Sequence, residues 1–125
     1  MPKVEGVPPG FGIPRYESLS IRATEIHKAL GDDIAIKMRT TAVLEVRNPD
    51  GSIGYVVASN EVNLSPSQIA SLRANEMPVI GPGHAEQTAI NAAVSNGQEP
   101  LRIGVSRVIC AECDGWIKGL GIIVD

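Results

Sequence analysis

The residues of this 125-residue chain that are best suited to chemistry lie in two short segments, His-Ala-Glu at 84–86 and Cys-Ala-Glu-Cys at 110–113. Imidazole and thiolate are ligands that zinc prefers in proteins, and His84, Cys110 and Cys113 supply them. Three protein ligands leave a tetrahedral zinc one open position, where a water can bind and lose a proton near neutral pH. The chain has two cysteines and one other histidine, far upstream. This inventory favours an open, hydrolytic zinc site over a closed structural one.

The elements around the two segments are predicted to bring them together. Gly and Pro at 81–83 break the preceding structure, and the small residues of 85–95 predict a short helix with His84 and Glu86 in its first turn. If a second helix starts at Cys110, both thiolates emerge on one face of its first turn. Two helix N-termini then converge on the metal, where their positive ends favour thiolate over thiol.

The rest of the chain predicts alternating helices and strands. The pattern indicates a capping box in which Gln68 reaches back to Ser65, and an Asn-Pro-Asp-Gly turn at 48–51 that makes a hairpin of the strands on either side. The predicted elements are an amphipathic helix over 16–30, strands over 34–46 and 53–58, a short helix after Ser65, and strands over 101–109 and 121–124.

A His-x-Glu that opens one helix and a Cys-x-x-Cys that opens the next, with a strand between them, resemble the zinc-dependent cytidine deaminase-like superfamily. The resemblance runs from about residue 34 to the C-terminus. It implies a three-layer α/β/α fold with a mixed sheet of four to five strands, since a further C-terminal strand common in the family has no counterpart here. It departs from the family at Ile109, where proline is usual, and this makes the start of the second helix less rigid.

The resemblance also implies roles for individual residues. His84, Cys110 and Cys113 would bind zinc, while Glu86 would stay off the metal and carry protons from the attacking water to the base and the departing ammonia. Asn60 and Ala85 would bind substrate, with Asn60 contacting the sugar. A structural role for Asn60, as the turn residue that ends a strand, carries equal weight. Asn63 is a weaker candidate for the sugar contact.

Within the superfamily the chain is more similar to the C-terminal deaminase domains of bacterial polymorphic toxins, on its small size, its Gly-His-Ala-Glu segment and the relaxed position before the cysteines. This implies a secreted toxin domain that deaminates cytosine in nucleic acid, in the cytoplasm of a target cell, and that has a cognate immunity protein. A protein outside that group would be cytoplasmic. Single-stranded DNA is the first choice of substrate because its bases are already exposed, ahead of RNA and duplex DNA.

Other functions remain open at this stage. The enzyme could act on free cytidine or another nucleoside or nucleotide, or on adenine, and a non-catalytic zinc-stabilised module would make Glu86 incidental. Cys-x-x-Cys alone also fits a redox pair, and Glu86 alone fits a favourable acid in a first helical turn. Trp116 could stack on a base, although a core position is commoner for such a residue, and we expect His27 on a helix surface.

Charge and composition bound these alternatives. The net charge of −3 and pI of about 5.3 argue against tight non-specific binding to nucleic acid, although a local groove could still be basic. A 43% hydrophobic chain of this length fits one soluble domain without a membrane span. We predict a flexible linker at 1–14 and the domain at 15–125.

Overall fold

The computed structural model describes residues 15–60, 63–109 and 111–125. Within these residues, five strands form one mixed sheet in the order β3-β2-β1-β4-β5, and helices flank it, as the predicted α/β/α architecture requires. None of the helices in the described ranges has both the length and the hydropathy needed to cross a lipid bilayer. The elements in chain order are α1 (Leu19–Lys28), α2 (Asp33–Met38), β1 (Thr41–Arg47), β2 (Ile53–Ser59), α3 (Pro66–Ala70), β3 (Glu76–Pro78), α4 (Ala85–Ser95), β4 (Glu99–Val105), α5 (Ala111–Gly119) and β5 (Ile123–Val124).

The predicted hairpin is confirmed and forms the centre of the sheet. β1 and β2 are antiparallel, with Thr41 opposite Ser59 and Arg47 opposite Ile53. The turn between them closes as the Asn48 N–H donates to the Ser52 carbonyl at 2.8 Å. β4 pairs antiparallel with the other edge of β1, whereas β3 and β5 add parallel to β2 and β4.

Each face of the sheet has its own hydrophobic cluster. On one face, α4 and α5 cover side chains of the central strands such as Leu44, Val56 and Ile103. On the other face, α1 covers Val43 and Val57. α1 crosses β4 so closely that a Cβ on Gly104 would overlap the backbone of Ser20. The alternation of side chains along β1 therefore separates the two layers.

Two sequence-based predictions of secondary structure are wrong. Residues 33–38 form helix α2, capped by Asp32 accepting from the Ala35 N–H, where we expected the first strand to begin at Ile34. The sheet also reaches five strands through β3, inside a segment predicted to be a connection with one short helix. β3 has only three residues and ends at a proline, so its pattern carries almost no strand signal.

His27 is not on the surface, contrary to expectation. Its side chain is buried, with Nε2 2.7 Å from the Ile36 carbonyl and Nδ1 3.0 Å from Thr41 Oγ1. The carbonyl can only accept, so Nε2 carries the proton, and the Thr41 hydroxyl is free to donate to Nδ1 while it accepts from Gln68 Nε2 at 3.1 Å. Gln68 thus closes the predicted capping box and also joins α3 to β1.

Charged side chains are buried on the α1 face. The fully buried Glu45 accepts hydrogen bonds from Arg102 and from Arg15. Burial alone would raise the pKa of Glu45, but the hydrogen bonds from Arg102 and Arg15 outweigh it and lower the pKa to about 2. Glu76 pairs with Arg22 at 2.7 Å in the same layer. Desolvation would raise the pKa of Glu76, but the hydrogen bonds from Arg22, the Arg73 N–H and Tyr16 together lower it.

Candidate metal centre

One edge of the sheet brings together the chain segments that carry the candidate residues. β1 begins at this edge with Thr41, which lies opposite Ser59 at the end of β2. Ala42 lies opposite Val105, so β4 ends at the same edge. Residues just before β1 and just after β2 and β4 therefore lie close together at this edge. The segments that lead into α4 and α5 start from the same edge.

The start of α4 is shaped by a glycine. Gly83 has φ +85°, a left-handed conformation that side chains other than glycine rarely adopt, and His84 follows as the N-cap residue in extended conformation. The His84 side chain makes no capping hydrogen bond and is exposed. A helix-capping role for this imidazole is thereby excluded, and it is available as a ligand.

His84, Glu86 and Cys113 converge in space. One ligand atom from each of the three side chains lies within 4.8 Å of the others. Glu86 and Cys113 are 5% and 2% exposed, so the carboxylate and the sulfur come from the protein interior while the imidazole faces solvent. Nitrogen, oxygen and sulfur donors at this separation could hold a metal ion. The predicted ligand Cys110 lies outside the described residues.

Cys113 owes its place to α5. The helix begins at Ala111, so Cys113 lies in its first turn, as predicted. Cys113 and Ile117 are the buried residues of this helix and belong to the cluster shared with α4, while Ile109 packs against the same cluster. The core thus holds the side chain of the candidate ligand Cys113 and anchors the chain on both sides of residue 110.

A cavity of about 270 Å³ opens beside this group. Both predicted substrate-binding residues, Asn60 and Ala85, line it, whereas Asn63 is exposed and does not. Asn60 Oδ1 accepts from the Thr40 backbone N–H at 2.8 Å, and the backbone N–H of Asn60 donates to the Thr40 carbonyl at 3.2 Å. These two bonds hold the Asn60 side chain at the edge of the sheet. The lining residues are Thr40, Asn60, Gly83, His84, Ala85, Glu86, Arg107 and Val108.

Four of the lining residues were not predicted to belong to the site: Thr40, Gly83, Arg107 and Val108. Thr40 comes directly before β1, while Arg107 and Val108 lie between the end of β4 at Val105 and the cysteine pair. For Arg107 and Val108, the position between a strand end and a candidate ligand was the available signal. Trp116, for which a core position was the commoner expectation, is instead 38% exposed and belongs neither to the described core nor to the cavity lining.

No protein-family model, curated protein or solved structure matches this chain.

Proposed function

We propose that this chain is a zinc-dependent deaminase that hydrolyses cytosine to uracil in single-stranded DNA, and that it acts as a bacterial toxin domain with a cognate immunity protein. The single observation that supports the chemistry is the convergence of His84, Glu86 and Cys113 beside a cavity. A histidine and a cysteine within reach of one ion, with a carboxylate beside them, are a donor set typical of zinc.

His84, Cys113 and the proposed ligand Cys110 would hold the metal. When bound, zinc in such a three-ligand site lowers the pKa of a coordinated water towards neutrality. The sulfur of Cys113 is almost entirely buried, so exchange with solvent thiols is hindered. This position, beside an imidazole and a carboxylate, favours a metal ligand over a redox pair.

Glu86 would move the protons. Its carboxylate is 5% exposed and lines the cavity at the first turn of α4, where it can reach both a water and a base in the cavity. It would accept one proton from the attacking water and donate it to the ring nitrogen, then accept the second proton of that water from the hydroxyl of the adduct and donate it to the departing amine, which leaves as ammonia. The same carboxylate serves both steps because it is an acceptor early and a donor later.

The cavity would hold one base. Its volume of about 270 Å³ lies just below the ~300–1,000 Å³ range of small-molecule sites, which suits a single ring better than a large cofactor. Asn60 and Ala85 both line the cavity, and Asn60 would contact the sugar. An exposed base of a single strand reaches such a cavity without the few kcal/mol that flipping from a duplex costs.

Free cytidine is the second candidate substrate, because its base would occupy the same cavity and the net charge of −3 suits a substrate without a phosphate backbone. The test is to incubate the purified chain with a single-stranded oligonucleotide containing one cytosine, its RNA, duplex and adenine counterparts, and free cytidine. We expect uracil in the single-stranded DNA. Conversion of cytidine without conversion of any oligonucleotide would replace this substrate with the nucleoside, and no turnover of any of them would leave a zinc-stabilised module.

A further inference from the structure

Most basic side chains among the described residues have anionic or aromatic partners. Each of the following pairs lies within 4.0 Å: Arg15 and Arg102 with Glu45, Arg22 with Glu76, Arg47 with Glu99, and Lys118 with Asp114. Arg73 lies over the ring of Tyr16. Lys37, Arg39 and Arg107 form no ion pair with any carboxylate in the described ranges, a property that they share with Lys28.

Arg107 is hydrogen-bonded to the backbone of Lys37 and of Arg39, and these three residues are here called the cationic rim. Arg107 Nη2 donates to the carbonyl of Lys37 at 2.6 Å and to that of Arg39 at 2.7 Å. These carbonyls belong to the C-terminal end of α2 and the residue after it, and Thr40 comes next in the chain. Arg107 and Thr40 both line the cavity that holds Glu86. The cationic rim therefore borders the candidate substrate cavity through Arg107, and the backbone of Lys37 and Arg39 adjoins that residue.

Capping of α2 explains only part of this arrangement. An arginine that donates to the last carbonyls of a helix is an ordinary stabilising contact. Both of these bonds use a single nitrogen, however, and within the described part of the chain Arg107 Nε and Nη1 donate to no acceptor. The chain has 14 acidic and 11 basic residues, so three basic residues that are joined through Arg107 and lack a described carboxylate partner go against its overall balance.

We propose that the cationic rim binds a phosphate group of the cytosine nucleotide whose base enters the cavity, in the first place a phosphodiester of a single strand. Lysine and arginine are the side chains that bind phosphate oxygens, and arginine does so with several donors in a fixed plane. This inference rests on the proposed function, because it takes the ligand of the cavity to be a cytosine nucleotide. Binding of a phosphate by the cationic rim would make the phosphate, and not only the base, a determinant of substrate choice.

A matched pair of arginines tests the proposal. Arg39 precedes β1 and Arg47 ends it, at most roughly 26 Å apart at ~3.3 Å per residue, and either change to glutamine removes one positive charge. The full chain carrying Glu86→Gln, which prevents turnover of the probe, is titrated with a fluorescently labelled single-stranded oligodeoxynucleotide that contains one cytosine. Lys37→Gln is added because Lys37 is exposed and its loss should not affect folding.

We expect Arg39→Gln and Lys37→Gln each to weaken binding several-fold and to lower the salt dependence by about 0.7 in slope, as for one lost contact with a single-strand phosphate. Arg47→Gln should bind like the parent chain. Deoxycytidine monophosphate should compete better than deoxycytidine. A short oligonucleotide that competes better than either identifies a phosphodiester, and not a terminal phosphate, as the group that the cationic rim binds.

Equal affinities of Lys37→Gln, Arg39→Gln and Arg47→Gln at every salt concentration would overturn the proposal. The outcome is separable from that of the deamination assay. A chain that deaminates the strand with or without the rim cations retains the proposed function and loses this inference. A chain that binds the strand through the rim but never produces uracil loses the proposed function and retains a phosphate site.

Discussion

A catalytic interpretation of the site depends on the role of Glu86. The geometry allows its carboxylate either to carry protons or to bind the metal. Its carboxylate lies within 4.8 Å of the ligand atoms of His84 and Cys113. A ligand and a proton carrier differ in what their removal does. Loss of a ligand releases the metal, whereas loss of a general acid/base leaves the metal bound and lowers turnover.

We predict that Glu86→Gln keeps zinc and the fold but lowers turnover by about 10²- to 10⁴-fold, as is typical of removing a general acid/base. Cys113→Ser should instead release the metal and lower the melting temperature, since metal binding contributes to folding free energy. Elemental analysis and thermal denaturation of both variants measure the difference.

Glu112→Gln is the matched control, because Glu112 is an exposed acid in the first turn of α5 and should leave both metal and turnover unchanged. Release of zinc by Glu86→Gln would make Glu86 a ligand. Full activity of that variant would remove it from the mechanism.

At the scale of elements, the start of α4 decides whether His84 faces the metal. Gly83 holds φ +85°, and a Cβ there would lie 3.0 Å from Gln87 Oε1. The contact is with the end of a flexible side chain, so the backbone conformation is the larger obstacle. A left-handed conformation costs residues other than glycine about 1–2 kcal/mol.

We therefore predict that Gly83→Ala lowers the free energy of unfolding by about 1–2 kcal/mol and weakens metal binding, because relaxation of residue 83 turns His84 away. Gly119→Ala is the control, since Gly119 lies at the end of α5 with open space around it and no positive φ. Denaturant titrations and zinc competition measure the two effects. Unchanged metal affinity in a destabilised Gly83→Ala would separate the turn from the site.

At the scale of the whole molecule, the buried Glu45 on the α1 face couples folding to pH. Glu45 is fully buried against Arg102 and Arg15, and its pKa is about 2, compared with an ordinary value of 4.5. The folded state therefore keeps this carboxylate ionised at pH values at which the unfolded chain has already bound a proton. Stability from Glu45 is complete above about pH 4.5 and is lost as the pH falls towards 2.

We predict that the free energy of unfolding falls across this acidic window. The Glu45→Gln variant should be less stable at neutral pH, because Arg102 loses its buried partner. Its free energy of unfolding should fall less between about pH 4.5 and 2 than that of the parent chain. Thermal denaturation at a series of pH values measures both. Parallel pH profiles for the two proteins would show that Glu45 does not control acid stability.

The sequence by itself determined the elements whose signals are local. A Gly-Pro-Gly break, a run of small residues and an Asn-Gly stop predict α4, and an Asn-Pro-Asp-Gly turn between β-branched runs predicts the hairpin. The capping box of Ser65 and Gln68 is also readable, because the reciprocal bonds span only three residues. The spacing of His84 and Glu86 and the cysteine pair indicated which side chains could share a metal.

Only the tertiary structure decided what depends on contacts between distant segments. β3 forms because three residues pair with the free edge of β2. His27 is buried because its ring nitrogens form hydrogen bonds with Thr41 and with the carbonyl of Ile36. The cationic rim likewise joins α2 to the segment after β4 through Arg107. Helical and strand periodicity report which face of an element is apolar, but pairing across tens of residues is set by packing, which a local pattern does not encode.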